Sequence, residues 1–137
     1  MFKYLFLPKD TPIAIPPEFS RFKCLILIER DVNDSYRNDV SDTLVKNGCL
    51  YMMAWGLDCS LWDDSVDWAF LALYEYGAYP EDQFVMTTWH ENDTLQEMLE
   101  FAKVCSDHSD VDLQDILVLD FGSHERGGFI EQSYRHA

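Results

Sequence analysis

The chain has 137 residues, 47% hydrophobic and 15% aromatic, which is enough apolar material for one folded core and too much for a disordered chain. Asp and Glu number 25 against 10 Lys and Arg, a formal charge of −15 that repels phosphate backbones and anionic lipid and argues against nucleic acid and membrane surfaces as partners. Cys24, Cys49, Cys59 and Cys105 show no C-x-x-C and no His at finger spacing, so they read as reduced thiols in a reducing cytoplasm rather than as a zinc module.

The first ten residues, MFKYLFLPKD, hold only a short apolar run before Pro8 and no small-residue cleavage site, and no stretch approaches the ~20 apolar residues of a membrane span, so a cytoplasmic protein is expected. Pro8 to Pro17 carries four of the five prolines. Proline fixes φ and removes a donor, so residues 1–22 read as an extended, proline-rich arm laid on the domain. Lys23 to Glu29 (KCLILIE) is a continuous aliphatic run, the pattern of a strand buried on both faces of a parallel sheet. Asp34 or Ser35 then caps a helix with Tyr36, Val40 and Leu44 at four-residue spacing, stopped by Asn47-Gly48. Cys49 to Trp55 (CLYMMAW) is a second strand. After Gly56, Ser60 and Asp63 form a capping-box-like pair ahead of Trp62, Val66, Ala69, Phe70 and Leu73, a helical pattern that ends by Gly77 and Pro80. Phe84 to Trp89 (FVMTTW) reads as a third strand. Asn92 or Asp93 caps a helix with Leu95, Met98, Leu99, Ala102 and Cys105 along one face. Ile116 to Phe121 (ILVLDF) is a fourth strand, and the polar tail, residues 123–137, has no clear period and reads as irregular.

Helices between strands imply right-handed crossovers and so an α/β fold: a single three-layer, doubly wound domain over residues 1–137, with about four mainly parallel strands and helices on both faces. By analogy with flavodoxin-like sheets, the expected order of those four strands is 2-1-3-4. Ligands in such sheets sit beyond the carboxyl ends of the strands, and that order would set the loops after the first and third strands side by side, bringing Glu29 and Asp31 near His90 and Glu91.

His90 and Glu91 suit a general base and its orienter, with Glu29 and Asp120 as further catalytic candidates, and the same residue types serve metal-assisted hydrolysis. The spacing marks no metal site. A His-Glu pair ahead of a helix also has an ordinary role, Glu91 favouring the positive helix end and His90 packing on Trp89. Cys59 stands just before a helix, where thiols become more acidic, but Asp58, Asp63 and Asp64 favour the neutral thiol, so an inert cysteine is expected. No G-x-G-x-x-G follows the first strand, no phosphate-binding G-x-x-x-x-G-K occurs, and DFG at Asp120 to Gly122 lacks the companion kinase motifs, so no nucleotide or other cofactor is expected.

Aromatic residues crowd the second helix. Trp62 and Trp68 lie six apart and cannot share a face, and Tyr74, Tyr76 and Tyr79 cannot all point inward, which leaves aromatic surface beside Asp63, Asp64 and Asp67. Aromatic anchors in a polar rim are what protein interfaces use. A binding face of Trp62, Trp68, Asp63, Asp64 and Asp67 for a basic protein partner is expected, with a homodimer through the same helix or a merely solvated helix as the other outcomes.

The segments NGCLYMMAWGLDCSLWDD and FVMTTWHENDTLQEMLEFA together resemble an uncharacterised bacterial family of small α/β domains, from about Lys23 to Asp120. The resemblance implies the fold and a bacterial cytosolic origin, and it brings no substrate, cofactor or catalytic residue. The leading expectation is therefore a non-enzymatic interaction module of immunity or adaptor type, with a small hydrolase or metal-assisted enzyme at the strand ends as the alternative.

Overall fold

In the computed structural model, which describes residues 1–137, the chain runs β1 (Phe2–Phe6), β2 (Phe22–Ile28), α1 (Asp34–Lys46), β3 (Cys49–Gly56), α2 (Cys59–Leu73), β4 (Met86–His90), α3 (Leu95–Val104), β5 (Asp115–Phe121) and α4 (Gly127–Arg135). A 3-10 turn at Glu81–Gln83 precedes β4. The five strands form one parallel sheet in the order β1-β5-β2-β3-β4. The α/β class, the parallel sheet and helices on both faces are as the alternation of elements predicts.

The strand order differs from the expected one, and burial explains why. Every residue of β2 is buried, and β3 and β5 are nearly so, whereas β1 and β4 are only half-covered. Continuous aliphatic strands need neighbours on both sides and helices on both faces, so they take the middle. Met86–His90, with two threonines, tolerates an edge. The last strand therefore inserts beside β2, and β4 lies outside β3.

Side-chain alternation splits the core in two. Cys24, Ile26, Leu117 and Leu119 face α1 and α2, packing with Val40, Leu44, Trp62 and Val66. Leu25, Leu27, Ile116 and Val118 face α3 and α4, with Met98, Leu99 and Ile130. Gly56 ends β3 at φ 105°, and a Cβ there would stand 2.1 Å from the Ile28 carbonyl oxygen, so only glycine fits this crossing of β3 past β2.

Two segments differ from the sequence reading. Residues Phe2–Phe6 are not part of the arm but a fifth strand, paired with β5. The prolines follow it, and the arm packs Leu7, Ile13, Ile15 and Phe19 on the face that carries α1 and α2, in the place a crossover helix would take. The tail holds α4, which starts at Gly127-Gly128 and buries only Ile130 completely, so a helical stripe is hard to see in its sequence.

The caps also shift. Asn33, not Asp34 or Ser35, caps α1. Thr94 and Glu97 form the capping box of α3 in place of Asn92 or Asp93. Ser60 is already inside α2, whose N-cap is Asp58 in the left-handed region with no side-chain cap bond. A cap must sit one residue before the first helical amide, and in each case the neighbouring polar residues competed for that position. No helix is long and apolar enough to cross a membrane.

Candidate functional site

At the carboxyl rim, β2 leads to α1 on one face and β5 leads to α4 on the other, so the crevice expected of such sheets opens between these two neighbours. Glu29 and Asp120 meet there, but Arg126 fills the space between them. Asp120 is fully buried, and its Oδ2 accepts from the Tyr4 hydroxyl at 2.5 Å and from Arg126 Nε at 2.9 Å. Arg126 Nη2 reaches Asp120 Oδ1 at 3.1 Å and also bonds Glu29 Oε1, while its backbone N–H donates to the Tyr4 oxygen at 3.1 Å. Burial works against the Arg126 charge, but the hydrogen bonds and charge of Asp120, followed by Glu29, outweigh it and raise the guanidinium pKa. Burial and the bond to Asp120 push the Tyr4 pKa upward too, which keeps that hydroxyl a donor. Both carboxylates are thus committed to a clamp between β1, β2, β5 and the start of α4.

His90 and Glu91 are elsewhere. They follow β4, with β3 between them and β2, so at ~4.8 Å per strand they stand ~10 Å from the Glu29 position and ~14 Å from Asp120. The expected approach of Glu29 and Asp31 to His90 and Glu91 does not occur, because it depended on β4 lying beside β2. His90 is held on both nitrogens, Nδ1 with Asp93 Oδ2 at 2.8 Å and Nε2 with Thr88 Oγ1 at 2.9 Å, and its ring stacks edge-on against Phe101 at 4.5 Å, not on Trp89. Cys59 is buried beside the His90 backbone and Glu91, and burial first, then the Glu91 charge, raise its pKa. Both favour the neutral thiol. None of the five principal depressions is lined by Glu29, His90, Glu91 or Asp120. No three His, Cys, Asp or Glu side chains come together in a way that could hold a metal ion.

The α2 side of the molecule is different. Trp62 does not belong to a binding face: it is wholly buried and packs on Phe121 at 5.3 Å, because its position turns toward the sheet. Trp68, on the opposite side of the helix, is 62% exposed, and Tyr76 meets it edge-on at 6.3 Å. Tyr76 is placed there by an unusual turn, Glu75 and Tyr76 both having positive φ (53° and 61°), closed by the Tyr76 amide bonding the Leu71 carbonyl at 2.8 Å. Asp64 and Asp67 are exposed, whereas Asp63 is buried.

Exposed apolar groups and charge coincide in one half of the fold. Twelve large apolar side chains remain exposed, and nine of them lie between Leu57 and Trp89. Between Lys46 and Lys103 the chain has eleven Asp and Glu and no Lys or Arg, so the β3–α2–β4–α3 half carries most of the net negative charge. The spacing of basic residues along the sequence carries this signal by itself.

Between α2 and β4 lies a groove of about 360 Å³ walled by Phe70, Leu71, Phe84 and Met86, with Asp67 and Thr87 as its polar sides. Past Tyr79, Phe84 and Met86 a second depression begins, bordered by Glu81 and Asp110. Thr87 donates to Asp67 Oδ1 at 2.9 Å. Asp63, one helical turn before Asp67, keeps an Oδ2 with no hydrogen-bond partner. Burial, then the neighbouring Asp67, push its pKa up to about 6.

A family model described as a domain of unknown function (DUF7684) matches residues 2–137, from β1 to α4. No curated protein and no solved structure matches the chain.

Proposed function

The chain belongs to the DUF7684 family, which supplies no activity to reason from, and we propose on physical grounds that it is a non-enzymatic protein–protein interaction module. Its docking face is the α2–β4 side, and its partner is a protein with a basic, partly aliphatic surface. The observation that carries this reading is the coincidence of nine exposed apolar side chains with a chain segment of eleven acids and no Lys or Arg. Exposed apolar surface alone favours any protein or lipid. Surrounded by carboxylates, it favours a cationic protein over anionic lipid or phosphate backbones.

Two further features support it. β4 is an edge strand, so its outer backbone donors and acceptors are free to pair with an added strand. Trp68 and Tyr76 form an exposed aromatic pair of the kind that anchors interfaces. The hydrolase alternative draws no comparable support, since its four candidate residues fall in two separated clusters, and Glu29, Asp120 and His90 are each engaged by other side chains.

Panning a random peptide display library against the protein at low salt tests the reading. Enriched peptides should be rich in Lys and Arg with interspersed aliphatic residues, and their binding should fall roughly 10-fold or more in the Trp68→Ala/Leu71→Ala variant and in high salt. Enrichment without charge bias, or binding indifferent to that variant, would overturn it.

A further inference from the structure

We propose that β4 is a pairing edge: an extended segment of the partner, aliphatic at alternate residues and Lys or Arg at the others, adds to the sheet beside Met86–His90. The inference rests on the docking reading above and names the form in which the partner arrives.

The sheet has two edges, and the chain treats them differently. β1 carries the exposed Lys3, runs straight into Pro8 and has α4 packed against it, with Phe2 5.7 Å from Tyr134. A lysine and a covering helix are common protection against stray pairing. β4, MTTWH, contains no Lys, Arg, Asp, Glu or Pro, and its Thr and Trp are good strand formers. It is hydrogen-bonded to β3 alone, which leaves alternate amides and carbonyls turned outward. Trp89 beside them is 51% exposed. An edge this bare is a template for another strand.

The flanks of β4 decide which strand. Glu81 stands before it and Glu91 after it, both exposed, and no Lys or Arg lies between Lys46 and Lys103. A second copy pairing edge to edge sets these acids against each other, end on opposite end if antiparallel and like on like if parallel. A cationic strand is attracted at both ends whichever way it runs. Alternation supplies the rest of the pattern. Thr87 bonds Asp67 of α2 and His90 packs on Phe101 of α3, so Thr87 and Trp89 look toward α2 while Met86, Thr88 and His90 look toward α3. An added strand keeps these two faces. Its α2 side borders the groove of Phe70, Leu71 and Phe84 and the Trp89 ring, which suits aliphatic residues. Its α3 side has Asp110, which shares a depression with Met86, and Glu97, one helical turn before Phe101, which suits Lys or Arg.

The full chain, labelled with nitrogen-15, is titrated at low salt with a heptapeptide of alternating lysine and valine. Hydrogen exchange at alternate β4 amides, fast in the free chain, should slow by about 10-fold or more when the peptide is bound. The same peptide N-methylated on every backbone amide keeps its side chains and charges but cannot donate, and it should bind at least about 10-fold more weakly. A glutamate–valine heptapeptide should not bind. Trp89→Lys, which gives β4 the guard that Lys3 gives β1, should weaken the lysine–valine peptide by about 10-fold, whereas Phe129→Lys, at an exposed site on α4, should leave binding unchanged. If the N-methylated peptide binds as well as its parent, or the β4 amides keep their exchange rates, strand addition is wrong while docking on the acidic face stands. If the lysine–valine peptide does not bind, the strand inference falls, and the display library, which needs no backbone pairing, judges the docking reading by itself. Equal binding of the glutamate peptide removes the charge selection on which both rest. Protection of the β4 amides that grows with protein concentration alone would put a second copy on the edge in place of the cationic strand.

Discussion

Arg126 makes the carboxyl end of the sheet tolerable. β5 runs its apolar pattern straight into Asp120, a carboxylate with no exposure, and an isolated buried charge of that kind would oppose folding. The guanidinium, the Tyr4 hydroxyl and Glu29 turn it into a bonded set joining residues 116 and 122 positions apart in sequence from opposite ends of the chain. Removing one partner of a buried pair costs more than removing both, because the survivor keeps its charge and loses its donors. Arg126→Ala should therefore lower unfolding free energy by about 3 to 5 kcal/mol, and adding Asp120→Asn to it should recover part of the loss. Urea denaturation checks this, and a single-variant loss under about 1 kcal/mol would mean the clamp behaves as a surface pair. The sequence made Asp120 and Glu29 visible as acids at strand ends, where chemistry is expected. It did not make their partner visible, because Arg126 sits in a tail with no periodicity, and so two structural carboxylates looked like candidate catalytic ones.

Elements were legible in proportion to how continuous their apolar pattern is. β2, β3 and β5 are near-unbroken apolar runs, and each lies within a residue or so of its expected limits. β1 is five residues of half-buried edge, and α4 begins on two glycines, so neither carries enough pattern to stand out. Strand order depends on which strands can afford an edge, a comparison among strands that analogy with a familiar sheet replaced. The end of α2 shows a local rule being broken: Glu75 and Tyr76 are both left-handed, a conformation that costs a side-chain-bearing residue roughly 1 to 2 kcal/mol. Glycine at Glu75 escapes that strain but loses about 0.5 to 1 kcal/mol in chain entropy. Glu75→Gly should thus raise stability by roughly 0.5 kcal/mol in denaturant titration, while Tyr76→Gly should forfeit the aromatic contact with Trp68 and weaken peptide binding. A destabilised Glu75→Gly chain would show that the Glu75 side chain contributes more than its strained backbone costs.

Over the whole molecule, charge is sorted. Basic residues are confined to positions up to Lys46 and from Lys103 onward, which places them on the arm, β1, β2, α1, α4 and the end of α3, while the exposed aromatic half is purely acidic apart from His90. This sorting separates two associations that the exposed α2 surface would otherwise allow equally. A twofold homodimer through α2 would bring Asp64, Asp67 and Glu75 of one copy against the same residues of the other, since such an interface is self-facing. Like charges at that range repel, and salt relieves the repulsion. A basic partner meets the same face with attraction, and salt weakens it. The two associations therefore respond to ionic strength with opposite signs. Sedimentation equilibrium at low salt should find a monomer, with any self-association emerging only as salt is raised, while peptide binding declines over the same range. A dimer that is tightest at low salt would mean that the acidic half is not the contact surface, and that the exposed apolar groups of α2 are covered by something other than a cation-bearing partner.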